Sequence, residues 1–164
     1  MKCRMLDRHF ISGGIVKSFQ LLAAAVLCLT AAAGSVHAVE FKSVGAAPAI
    51  LYDAPSQKGR KVFVAPREMP VEVVLTYGEW SKVRDATGEL SWVESKALGS
   101  ARTVVTTVQG AKARAAADEK SALVFTADKG VLLELVEPLA SGWVRIRHRD
   151  GQSGYVKAAE VWGE

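Results

Sequence analysis

After residue 38 no window of the chain keeps a helical period; apolar positions come instead in short runs and two-residue alternations that predict strands throughout. "VEVVLTY" (71–77) and "VLLELVE" (131–137) are β-rich runs bounded by Pro or Gly. "WSKVRD" (80–85) and "WVRIRH" (143–148) alternate, placing Trp80, Lys82 and Arg84 on one face and Ser81, Val83 and Asp85 on the other. The turns "DATG" (85–88) and "RDG" (149–151) then fold the chain back into "LSWVE" (90–94) and "SGYVK" (153–157). "KALG" (96–99) and "AAEVWG" (158–163) predict a short helical turn and a closing strand. "GAKARAAADEK" (110–120) is Ala-rich and "APAILYDAPSQK" (47–58) holds two prolines, so both are expected to be irregular loops.

The pattern is written twice. An offset of 63 pairs Trp80 with Trp143, Lys82 with Arg145, Val83 with Ile146, Arg84 with Arg147, Gly88 with Gly151, Trp92 with Tyr155 and Val93 with Val156. Upstream the offset is 62, pairing Ala54 with Ala116, Val62 with Val124, Phe63 with Phe125 and Val74 with Val136. One residue inserted in "EPLASG" (137–142) accounts for the change. The expected organisation is two copies of one domain, 39–98 and 104–164, joined by a linker at 99–103. Some five short strands in about sixty residues make a small all-β barrel, whose closure removes exposed sheet edges. A domain of that size buries only about 60% of its unfolded surface, so two tandem copies are expected to lean on each other.

The first 38 residues belong outside that fold. Lys2, Arg4, Arg8 and Lys17 form a basic stretch ahead of the uncharged run "FQLLAAAVLCLTAAAG" (19–34), and Val36 and Ala38 stand where a signal peptidase reads small residues. The segment is expected to be a signal peptide cleaved after Ala38, with an uncleaved anchor as the alternative; export would take the protein to the periplasm. Leu27 before Cys28 speaks against a lipoprotein signal. Cleavage would remove four of the 21 Lys and Arg residues and one of the 17 Asp and Glu residues, leaving 17 against 16 and a net charge of about +1 instead of +4. No nucleic-acid footprint is left in such a chain. Both cysteines, Cys3 and Cys28, would leave with the segment, so the remainder would hold no disulfide and no thiol nucleophile.

The motif W-x-[KR]-[VI]-R-x-x-x-G-x-x-x-[WY]-V, followed by "ESKAL" (94–98) or "KAAEV" (157–161), resembles the bacterial SH3 (SH3b) domain family. The chain is most similar to the tandem, signal-bearing SH3 proteins of Gram-negative bacteria. The family's usual opening, close to N-V-R-S-G-P-S, survives only as "ILYDAPS" (50–56) and "ARAAADE" (113–119). The resemblance implies two tandem SH3-like β-barrels that bind peptides or peptidoglycan.

Candidate binding residues follow from the pattern and the resemblance together. Trp80 and Trp143, with Val83 and Ile146 pointing inward, are expected on the outer face or rim, either lining a ligand groove or folding over a neighbouring loop as lids. Lys82 and Arg84 would supply charge beside Trp80. Arg145, Arg147 and Arg149 form a period-two ladder able to grip carboxylates, or else a solvated face paired with Glu134, Glu137 and Asp150. Tyr52 and Asp53 resemble the start of a ligand loop, or a simple turn built on Asp53 and Pro55. Trp92 and Tyr155 close the hairpin or join the groove. His148 stands without a marked nucleophile or further ligands, so neither catalysis, a metal nor a cofactor is expected. The leading expectation is a non-catalytic module for peptidoglycan or an envelope protein. The alternative is a structural adaptor that docks on a protein partner and takes no small ligand.

Overall fold

The computed structural model describes residues 39–138 and 141–164; the proposed signal peptide lies outside the described residues. Ala38–Glu164 makes up one compact unit. Its first half runs β1 (Glu40–Val44), β2 (Ala49–Tyr52), β3 (Lys61–Ala65), β4 (Pro70–Tyr77), β5 (Trp80–Arg84), β6 (Leu90–Glu94), a 3-10 turn (Ser95–Ala97) and β7 (Leu98–Gly99). The second half repeats it: β8 (Thr103–Thr106), β9 (Ala111–Arg114), β10 (Leu123–Ala127), β11 (Leu132–Pro138), β12 (Trp143–Arg147), β13 (Ser153–Lys157), a 3-10 turn (Ala158–Glu160) and β14 (Val161–Trp162). The sheet orders are β3-β2-β6-β5-β4-β1-β7 and β10-β9-β13-β12-β11-β8-β14, the same topology twice, with all pairs antiparallel.

Each sheet wraps around its own small apolar core. Val44, Leu51, Val71, Val83 and Val93 fill the first, and Val104, Leu133, Val144, Ile146 and Val156 the second. The alternation in β5 holds: Ser81 and Val83 are buried while Trp80, Lys82 and Arg84 are half-buried on the outer face. A bulge interrupts the register between Val73 and Leu75 and recurs between Leu135 and Glu137, so even the irregularity is duplicated. At the hairpin after β5, Asp85 Oδ1 accepts hydrogen bonds from the backbone N–H groups of Thr87 (2.8 Å) and Glu89 (3.1 Å), and Gly88 takes φ 90°. Gly151 occupies the matching position at φ 92°.

Three expectations need correction. The stretches taken for irregular loops contain β2 and β9, and each copy has seven strands where about five were expected. In β9, "AKAR" is strictly alternating, with Ala111 and Ala113 buried; alanine fills an inward position because Gly154 and its backbone neighbours leave room for no more. Around β2 the prolines Pro48 and Pro55 flank the strand instead of interrupting it. The arginine ladder is also shorter than expected: β12 ends at Arg147, and Arg149 sits in the turn beyond it.

The barrels do lean on each other. Thr103 Oγ1, in the first residue of β8, donates to the Glu68 carbonyl oxygen (2.6 Å) and lies 2.6 Å from Ser43 Oγ of β1. Phe41 meets Trp162 edge to face at 5.0 Å, with the Arg102 guanidinium 5.9 Å from the Phe41 ring. Gly163, at φ 114°, approaches so closely that a Cβ there would stand 2.8 Å from Thr103 O and 2.9 Å from Pro70 Cβ. Glu68 itself is left-handed, at φ 66°, where the second copy has Gly130 at φ 88°. A side chain in that region costs about 1–2 kcal/mol, and glycine returns part of the gain as unfolded-state entropy. Glu68→Gly is therefore expected to raise stability by up to about 1 kcal/mol, read as a higher midpoint in urea unfolding.

Candidate ligand clefts of the two barrels

In barrel 1 the outer face of β2, β5 and β6 gathers the aromatic side chains. Tyr52 faces Trp92 across β2 and β6, Trp92 faces Lys82, and one rung further Trp80 lies between Tyr77 and Glu94. Tyr52 is buried, at 8% exposure, and packs edge-on to Trp80 with ring centroids 5.4 Å apart. Tyr77 on the other side of Trp80 is open to solvent, at 68%. Lys82 Nζ lies 5.9 Å from the centre of the Trp92 ring, a cation–π distance that leaves the ammonium little freedom to serve as an isolated anion grip. A cleft of about 190 Å³ opens beside Tyr52, lined also by Pro48, Ile50, Val93 and Glu94. Glu94 accepts a hydrogen bond from Gln57 Nε2 (2.5 Å) and pairs with Lys96 Nζ (3.1 Å). Those two contacts, Gln57 first, hold its carboxyl below the usual carboxylate range.

The same cleft in barrel 2 keeps its frame and changes its chemistry. Trp143 faces Lys157, where Trp80 faces Glu94, and Tyr155 faces Arg114, where Trp92 faces Tyr52. The cross-loop contact is preserved with its polarity turned round: Gln57 to Glu94 in barrel 1 becomes Glu119 to Lys157 in barrel 2. That ion pair holds Glu119 below and Lys157 above its ordinary range, the direct hydrogen bond being the main cause for both. The cleft, about 250 Å³, is lined by Lys112, Arg114, Glu119, Trp143, Lys157 and Glu160 among others. Trp143 is 9% exposed, so of the two alternatives for this indole, groove wall or lid, its burial agrees with the lid. Its indole stands among the long side chains that line the cleft, whereas Trp80 remains half-buried.

The remaining sequence candidates are placed as follows. Asp53 ties its own loop, accepting from Arg60 N (2.9 Å) and Arg60 Nε (3.3 Å), as the turn alternative required. Arg84 Nη1 donates to both carboxylate oxygens of Glu72 (3.0 and 2.8 Å), and Arg147 pairs with Glu134 (3.2 Å) at the equivalent position. These two arginines brace the sheet in both copies. Arg145 is exposed and faces Glu137 and Tyr155 in register, with no ion pair among the described residues. His148 Nδ1 lies 3.0 Å from Asp150 Oδ1, beside the Phe125 ring. Among the described residues no three His, Cys, Asp or Glu side chains gather to hold a metal, and no helix is long and apolar enough to cross a membrane. Sequence reasoning missed Tyr77, Glu94 and Gln57; the repeat carried a signal for the last two, since both change charge class between copies.

A profile of the family described as "Bacterial SH3 domain" matches residues 45–99 and again residues 107–163. The chain belongs to the bacterial SH3 domain family. Both matches fall on the repeated strands, so this is a tandem bacterial SH3 protein. No curated protein matches it. Among solved structures, "Structure of NlpC2 from Trichomonas vaginalis" is 13% identical with a TM-score of 0.37, covering 79% of this chain and 50% of that one. "Structure of NlpC1 from Trichomonas vaginalis" is 14% identical with a TM-score of 0.37, covering 81% of this chain and 49% of that one. The chain thus spans about half the length of each.

Proposed function

We propose that this bacterial SH3 protein is an exported, non-catalytic binding module of the cell envelope, and that barrel 1 recognises a peptidoglycan or envelope-peptide ligand through the cleft beside Tyr52 and the Trp80 ring packed edge-on against Tyr52, together the Tyr52–Trp80 cleft. The observation that carries this is the half-buried Trp80, braced edge-on by Tyr52 and flanked by Tyr77 and Glu94. A rigid indole offers a flat apolar surface to a sugar face or a peptide side chain at little entropic cost. The Glu94 carboxylate beside it is bonded to Gln57 through Oε1 and paired with Lys96 through Oε2, and its remaining lone pairs can accept from an amide or amine N–H of the ligand. The basic amino-terminal stretch and its small-residue cleavage pattern support a periplasmic location.

Barrel 2 would then serve a different ligand group or a structural role, because Lys112, Arg114 and Lys157 stand where barrel 1 has Ile50, Tyr52 and Glu94. Co-sedimentation with purified peptidoglycan sacculi tests the proposal. The parent is expected to sediment, and Trp80→Ala and Tyr77→Ala each to weaken binding about tenfold while keeping the parent's circular dichroism. Lys157→Ala should bind as the parent does. Trp143→Ala is a poor probe, since a buried indole reports on folding. Undiminished binding by both barrel 1 variants would reject the cleft.

A second reading, an adaptor docking on a protein partner, is favoured by one observation: Val62, Phe63 and Val64 are exposed in succession.

A further inference from the structure

Strand β3 lies at the edge of the first sheet, hydrogen-bonded to β2 on one side only. It is the kind of edge that proteins normally blunt: an unpaired row of backbone groups carrying exposed apolar side chains invites another strand. Phe63 is 50% and Val64 63% exposed. Beside Phe63 opens a groove of about 310 Å³ whose apolar wall combines Pro66, Met69 and Pro70 of barrel 1 with Val105 and Leu132 of barrel 2.

The repeat supplies an internal control. The corresponding cleft of barrel 2 is lined by Asp128, His148, Asp150 and Gln152, with Asp128 in place of Pro66 and Asp150 in place of Thr87. There Phe125 packs against its own core and the His148 ring, 5.7 Å away. The bare Phe63 and its apolar groove are therefore not a requirement of the barrel.

Charge decides the occupant. Lys61, Arg67 and Lys129 stand exposed on β3 or next to groove residues, and none forms an ion pair among the described residues. The acids on or beside the groove are two: Glu68, and Asp85, whose Oδ1 is held by the Thr87 and Glu89 N–H groups, so cations outnumber them. Antiparallel self-pairing centred on Phe63 would bring Arg67 of one copy to the Arg60–Lys61 end of the other, like charge against like. A second copy fits poorly; an acidic strand fits well. We propose that β3 is a docking edge for an extended segment of a partner protein in which apolar residues alternate with Asp or Glu. The added strand pairs with the free side of β3. One apolar side chain enters the groove on the Phe63 face, and the carboxylates meet Lys61, Arg67 and Lys129. This site is separate from the Tyr52–Trp80 cleft and does not depend on it.

The test uses two synthetic seven-residue peptides, one alternating valine and phenylalanine with glutamate, the other with lysine in place of glutamate. Binding to the purified protein is read by fluorescence anisotropy and by amide hydrogen exchange. The glutamate peptide is expected to bind and to slow exchange in residues 61–65. Phe63→Gln, and separately Arg67→Glu combined with Lys129→Glu, should each weaken it at least tenfold; Trp80→Ala should leave it unchanged. Absence of binding, equal binding of the lysine peptide, or protection away from β3 would overturn the proposal. Concentration-dependent self-association through β3 without peptide would also overturn it, giving the edge to a second copy.

Discussion

Ile146→Ala is expected to destabilise the protein by about 3–4 kcal/mol, within the roughly 2–5 kcal/mol typical of emptying a buried aliphatic site. Ile146 is fully buried in β12, facing Leu135 on β11 and Gly154 on β13. The cavity would find no neighbour free to collapse into it. Gly154 has no side chain to offer, and its backbone already lies tight against Arg114 and Ala113. Since small domains hold only about 5–15 kcal/mol in all, barrel 2 should lose a large share of its margin. Urea unfolding followed by tryptophan fluorescence measures the change. A loss under 1 kcal/mol would mean that the second core is not packed as described.

Thr103→Val is expected to cost about 2 kcal/mol and to loosen the barrels from each other. The substitution keeps the side chain's shape but removes the hydroxyl shared between Ser43 Oγ and the Glu68 carbonyl. Ser43 is buried in the interface, so its hydroxyl loses its partner without gaining water. Differential scanning calorimetry should show one transition for the parent and a broadened or split one for the variant. Adding Ser43→Ala to Thr103→Val should cost less than the two single changes summed, because the orphaned hydroxyl is then gone. Strict additivity, with a single unaltered transition, would deny that this contact couples the barrels.

Much of the fold was legible because repetition doubles every signal. The offset of 63 located both hairpins, and Val83 and Ile146 marked the inward face. The failures share a physical cause. In β9 the inward residues are Ala111 and Ala113, too small to register as a hydrophobic period, and β2 is only four residues long between prolines. The site was half legible. Tyr52 and Trp80 meet as a pair, and Arg147 takes Glu134, a partner the sequence had offered the ladder, yet Arg84 is taken up by Glu72, an acid that only the strand register brings opposite it. Trp143 shares its cleft with Arg114 and Glu119, 29 and 24 residues earlier in the chain, which no local window contains.

The central claim, that the Tyr52–Trp80 cleft of barrel 1 is the working ligand site, is tested most directly by the indole N–H signals of the protein's four tryptophans in ¹H–¹⁵N spectra. Titration with soluble muropeptides should shift Trp80 first, with Trp92 following, while Trp143 and the interface residue Trp162 stay in place. Movement of Trp143 with Trp80 unmoved, or no movement of Trp80 at saturating ligand, would contradict it.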